Sequence, residues 1–134
     1  VVAHDLQRYA DLADFDLVHF DHERLDVYAA AVDFVVIAHG ILSSLPSGHG
    51  DLADQLRRAA TSIALNIAEG AGEYSKAEKA RFYRIARRSA TECAAVLDVS
   101  MRLEIATAAS CQPARDLLLR IVSMLVNMGR ALHA

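Results

Sequence analysis

The scarcity and placement of helix breakers constrain this chain more than any other feature. Its 134 residues include two prolines and six glycines. Pro46, Gly48 and Gly50 lie together, and Gly70 lies beside Gly72. Such clusters stop a helix and turn the chain. Between them run long stretches rich in Ala and Leu, which favour helix. Their apolar residues recur every three or four positions, the spacing of one helical face. Four helices are expected, over about residues 22–45, 51–70, 75–105 and 113–133.

The spacings also predict which faces turn inward. In the first helix these are Leu25, Tyr28, Val32, Val35, Val36, His39 and Leu42, with Asp21 as N-cap. His39 on that stripe reads as a core histidine with a hydrogen-bonding partner. The second helix, capped by Asp51 or Ser47, carries Leu52, Leu56, Ala59, Ala60, Ile63 and Ile67, and Gly70 and Gly72 supply its C-terminal reversal. Ser75-Lys76-Ala77-Glu78 is a capping box that opens the third helix. Phe82, Ile85, Ala86, Ser89, Cys93, Val96, Leu97 and Met101 face inward there. Residues 106–112 read as a loop or a frayed helix end, and Pro113 as the first residue of the fourth helix, with Leu117, Leu118, Ile121, Met124, Leu125, Met128 and Leu132 inward. Long helices on short loops pack antiparallel, so the fold class is all-α, an up-down-up-down four-helix bundle over residues 21–134. Residues 1–20 form an N-terminal arm or a short helix around residues 6–12.

A chain of this size is one domain and can bury a core without metal or disulfide. No apolar run reads as long enough to span a bilayer. The first twenty residues carry Asp5, Asp11, Asp14 and Asp16 and do not resemble a signal peptide. The chain opens on Val1 rather than Met, which points to processing or trimming. Cys93 and Cys111 are too few for a disulfide framework and are expected to be buried, reduced thiols. The expected compartment is the cytoplasm.

Catalytic and metal motifs are absent from the sequence. A di-metal bundle needs Glu-x-x-His on two helices, and the chain has no such tetrad. His19-x-x-His22-Glu23, near Asp16, is the closest approach to a ligand set, at a helix start where surface His and acidic residues are common. Glu69-Gly70-Ala71-Gly72-Glu73 lacks phosphate-loop spacing and its lysine, and follows a helix rather than a strand. No nucleophile motif occurs. The expectation is a non-enzymatic protein without cofactor or metal.

Charge is more informative. The net charge is −3, yet residues 1–33 hold eight acidic and two basic side chains, and residues 57–88 hold eight basic and three acidic ones. An uneven distribution of this kind can build an electrostatic partner face on an acidic protein. Lys79, Arg81, Arg84, Arg87 and Arg88 are the candidate contacts to nucleic-acid phosphates. Beside the apolar stripe of the second helix, Gln55, Arg58, Ser62, Asn66 and Glu69 form a polar stripe. It reads as a ligand groove or as a hydrogen-bonded seam fixing helix register, with Glu92 as partner for Arg58.

Residues 54–70, and above all Gln55 through Gly70, closely resemble the signature of the bacterial four-helix bundle family known as 23S rRNA intervening-sequence proteins, approximately Q-x-R-R-A-x-x-S-I-x-x-N-I-A-E-G. Ser75, Phe82, Ala86, Ser89 and Glu92 are similar to the family's next segment, and residues 22–28 to its first-helix opening. Arg88 stands where the family commonly has Gly before Ser, adding charge and bulk. The resemblance implies a small bundle forming a ring-shaped homopentamer. It also implies kinship with the retroelement accessory branch, which binds nucleic acid alongside a reverse transcriptase, although this chain is more acidic. It supplies no catalytic residue. The expected function is an oligomeric accessory that binds RNA or DNA through a basic face, the alternative being a scaffold that binds a protein partner. No membrane is expected as partner.

Overall fold

The computed structural model describes residues 19–133; the expected short helix around residues 6–12 lies outside them. A 3-10 turn, Asp21–Arg24, leads into four α-helices: α1 (Asp26–Ser44), α2 (Gly50–Gly72), α3 (Lys76–Arg102) and α4 (Ala108–Leu132). Each helix packs on its neighbour in sequence, α1 also packs on α4, and the diagonal pairs do not touch. The result is an up-down-up-down bundle whose core is filled by Phe34, Leu56, Ile63, Ile67, Leu97, Ile121 and many alanines. The alanines let backbones approach closely, so the few large side chains interdigitate between them.

The faces of α2 and α4 follow the sequence pattern, because each helix has one apolar and one polar side. Helix α1 does not. Its buried face is Val27, Ala30, Ala31, Phe34, Ala38 and Ile41, whereas Val36 is 67% exposed, Val32 is 40% exposed and His39 faces solvent. The helix is apolar nearly all round, so two stripes compete and spacing alone cannot choose between them. By length and composition α1 could also cross a membrane, contrary to expectation, but its buried face packs within the bundle.

Helix ends differ from expectation for local reasons. Neither Asp21, Asp51 nor Ser47 caps a helix; Asp21 opens the 3-10 turn, and α1 and α2 start without a side-chain cap bond. The turn into α2 instead uses Gly48 at φ +93°, a backbone region that glycine enters freely. Helix α3 stops at Arg102 in a Schellman motif, with Ile105 N–H on the Ser100 carbonyl (3.0 Å) and Glu104 N–H on that of Met101 (3.0 Å). Glu104 occupies the left-handed position, φ +59°, that glycine usually fills. Helix α4 begins at Ala108, five residues before Pro113. Thr107 is its cap, with the hydroxyl accepting from Ser110 N–H at 3.1 Å. Pro113 is tolerated inside the helix near its exposed start, where the unbonded carbonyl one turn back can meet water.

Candidate functional site

The α2–α3 interface holds the polar stripe read from the sequence, and there it acts as a seam. The Ser62 and Ser89 hydroxyls share a 2.8 Å hydrogen bond across the two helices. Asn66 Nδ2 donates to the Ser62 carbonyl at 2.8 Å and to its hydroxyl at 3.0 Å. Each polar group near the core thereby has a partner. Arg58 departs from expectation: its Nε donates to the Asp54 carbonyl at 3.4 Å rather than reaching Glu92. Gln55, Arg58 and Glu92 line the shallow outer mouth of the seam with both serines, and Glu69 is exposed further along α2. Arg88, the bulky neighbour of Ser89, points to solvent and leaves the serine contact intact.

Gly70 does not serve as a turn. It lies buried inside α2, and a Cβ added there would stand 2.6 Å from Tyr83 Cε1. The missing side chain makes room for the Tyr83 ring, which is 6% exposed, while Phe82, the expected core ring, is only half-buried. Burial pushes the Tyr83 phenol pKa up.

Four of the five cations nominated from the sequence divide into three groups, and Arg88 stands apart. Lys79 Nζ donates to the Gly70 and Ala71 carbonyls at 3.1 and 2.8 Å. It thereby caps the C-terminus of α2, where carbonyls lack helical partners and the dipole favours a cation. Arg81 is clamped to Glu78 by two bonds to one carboxylate oxygen, at 3.1 and 3.0 Å, and lies over the Phe82 ring at 4.4 Å. That bond to Glu78 raises its pKa further. The capping box is therefore half formed: Glu78 N–H bonds the Ser75 hydroxyl at 3.1 Å, while the Glu78 carboxylate turns to Arg81. Arg88 stands on the outer face.

Arg84 and Arg87 form the third group. Three residues apart on α3, they point the same way, into an open groove of about 460 Å³ between α3 and α4. Arg130 and His133 enter it from the end of α4, also three residues apart, and Ala80, Tyr83, Leu125, Val126 and Gly129 complete the lining. Among the described residues no carboxylate lines this groove. The ion pairs seen among the described residues away from it, Arg57–Asp54 and Arg115–Asp98, leave its three arginines uninvolved. Like charges converging without a counter-charge favour an anion in the groove. Sequence reading missed Arg130 and His133, since they lie over forty residues from Arg87 and only packing brings the two pairs together.

A metal centre finds no support here. Among the described residues no group of three His, Cys, Asp or Glu side chains is placed to hold an ion. His22 is engaged instead with rings, edge-on to Tyr28 at 4.5 Å between centroids and stacked with Phe20 at 5.8 Å. Cys93 and Cys111 are free, buried thiols. Burial and then the Glu92 charge push Cys93 up to about 12, so it is no nucleophile at neutral pH.

A second surface feature lies between α1 and α4. An open groove there is lined by Asp33, Val36, Ile37, Pro113, Asp116, Leu117 and Arg120. With Val32 and Val36 exposed beside it, α1 presents an apolar face that nothing in the bundle covers.

Comparison with known proteins gives a consistent picture. A family model described as "23S rRNA-intervening sequence protein" matches residues 23–127. The chain is also similar to a solved structure of a protein with unknown function from the S23 ribosomal protein family of Bacteroides thetaiotaomicron VPI-5482, with a TM-score of 0.72 and 23% identity, covering 77% of this chain and 97% of that one. That likeness supports the bundle fold. No curated protein matches the chain.

Proposed function

The chain belongs to the 23S rRNA-intervening sequence protein family, and from that premise we propose that it is a non-enzymatic, cytoplasmic accessory protein that binds RNA or DNA through phosphate contacts. The observation that carries this reading is the groove where Arg84, Arg87 and Arg130 converge and which no carboxylate among the described residues lines. Arginine presents planar, forked donors suited to phosphate oxygens and keeps its charge at any working pH. Acidic charge elsewhere on the chain opposes unspecific contact and orients the polyanion toward this one face.

The test is a titration of labelled RNA and DNA at several salt concentrations. Binding should weaken steeply with salt as counterions return to the strand. Replacing Arg84, Arg87 and Arg130 with Ala should lower the slope by about one for each phosphate that is no longer neutralised. Absence of binding at low salt overturns the reading.

The exposed apolar face of α1 favours a second component, self-association or a protein scaffold role. Val32 and Val36 are β-branched residues that solvent exposure does not reward. A homo-oligomer, a pentamer by the family resemblance, would cover that face. Light scattering on the wild type and on Val36→Asp tests it: an oligomer that falls to a monomer supports the reading, and a monomeric wild type contradicts it.

A further inference from the structure

The shape of the cationic groove bears on which form of nucleic acid it accepts. The groove between α3 and α4 is an open channel of about 460 Å³ along the helix surface. A duplex is a rigid cylinder with its bases stacked and paired inside, so it offers such a channel only the few phosphates along one edge. A single strand can lie within it and present successive phosphates to Arg84, Arg87 and Arg130.

An independent observation lies at the same end of the bundle. Tyr74 occupies the short break between α2 and α3, and its side chain is fully exposed. Helix α3 starts two residues later at Lys76, and the groove begins one turn further on at Ala80. A tyrosine at such a position contributes nothing to the core, yet both faces of its ring are open to a stacking partner. Arg84 lies eight residues along α3 from Lys76, about 12 Å at the helical rise of about 1.5 Å per residue, and Tyr74 lies two residues beyond that start. Stacked nucleotides advance about 3.4 Å each, so a strand of about four or five covers the distance. A paired base inside a duplex cannot offer its face to such a ring, whereas an unpaired one can.

We propose that this site takes single-stranded nucleic acid, with Arg84, Arg87 and Arg130 on the phosphates and an unpaired base stacked on Tyr74. The proposal rests on the nucleic-acid reading above and adds the form of the ligand and the residue that selects it. Stacking on a phenol is tolerant of sequence, so the selectivity is for strandedness.

The experiment is a fluorescence anisotropy titration with a single-stranded RNA, a single-stranded DNA of the same sequence, and the matching duplexes. It uses the wild type, Tyr74→Ala, Tyr74→Phe and the Arg84→Ala/Arg87→Ala double variant. Single strands should bind more tightly than duplexes at equal salt, and the two single strands tell a ribose-dependent contact from a phosphate-and-base one. Tyr74→Ala should weaken single-strand binding by about 5- to 150-fold, the range for removal of one stacked base. Its salt slope and melting temperature should not change, since an exposed ring neither neutralises phosphate nor packs. Tyr74→Phe should restore binding. Duplex affinity equal to single-strand affinity overturns the single-strand assignment, and wild-type binding by Tyr74→Ala overturns the stacking; either leaves the nucleic-acid reading standing. Failure of every oligonucleotide to bind at low salt overturns both.

Discussion

The two flanks of α3 carry polar residues to opposite ends. On the flank toward α2, Ser89 meets Ser62, Lys79 caps the end of the neighbouring helix, and Tyr83 fills the space that Gly70 leaves. Ser62, Ser89, Asn66 and Lys79 there are all bonded within the protein itself. On the flank toward α4, Arg84 and Arg87 meet Arg130 and His133, and the groove lining offers no opposite charge. Partnered polar groups hold helices in register; like charges gathered without a partner favour a counter-charge from outside the fold. Residue type alone does not separate the two, since Lys79 and Arg87 look alike on a charge map and have different work.

Substitutions on either flank can break that contrast. Gly70→Ala should have the largest effect on stability, about 1–3 kcal/mol, because the new methyl meets a buried ring that has little room to move; a thermal melt checks it, and an unchanged melting temperature would show that Tyr83 yields freely. Ser62→Ala should cost about 1 kcal/mol by leaving the Ser89 hydroxyl without its partner. The Ser62→Ala/Ser89→Ala pair should cost less than the sum of the singles in a double-mutant cycle. Lys79→Met should cost about 0.5 kcal/mol by uncapping α2 and leave the salt slope of nucleic-acid binding as it was. Smallest of all, Arg84→Ala/Arg87→Ala should shift stability by no more than about 0.5 kcal/mol while it reduces nucleic-acid affinity. Loss of stability from the arginine pair, or loss of binding from Lys79→Met, would erase the distinction between the flanks.

Another change isolates a single backbone position. Glu104 adopts a left-handed conformation that glycine holds without strain, so Glu104→Gly should raise stability by roughly 0.5–1 kcal/mol. The same residue explains a misplaced boundary. With no glycine to mark the stop, the apolar pattern runs on toward Ile105, while the chain closes a Schellman motif after Arg102. At the start of α4 the reverse holds. Pro113 is a strong signal for a first turn, but Thr107 with its bond to Ser110 N–H sets the true beginning. The breaker is conspicuous in sequence and the cap is not.

Amphipathic strength decides how much of each face is legible. Helix α2 separates Leu56, Ala59, Ala60, Ile63 and Ile67 from its polar side, and all five are buried as the spacing predicts. Helix α1 is apolar on nearly every side, and the spacing selects Val32, Val36 and His39, which face outward. Between the adjacent rings Phe82 and Tyr83 the pattern offers no choice, and the gap at Gly70 makes it. Of the groove, Arg84 and Arg87 are visible as a basic cluster, while Arg130 and His133 are not, because their nearness to the cluster arises from the fold of α4 against α3.

By itself the sequence determined that this chain makes four helices, where two of their joints fall, and that α2 carries a polar stripe beside its apolar one; breakers, caps and three-to-four spacing act over a few residues and are written where they act. Tertiary structure alone decided which face of α1 is buried, which ring fills the core, which cation is structural and which lines the groove. Those outcomes depend on contacts between residues far apart in the chain, and the free energy that selects them exists only once the helices have packed.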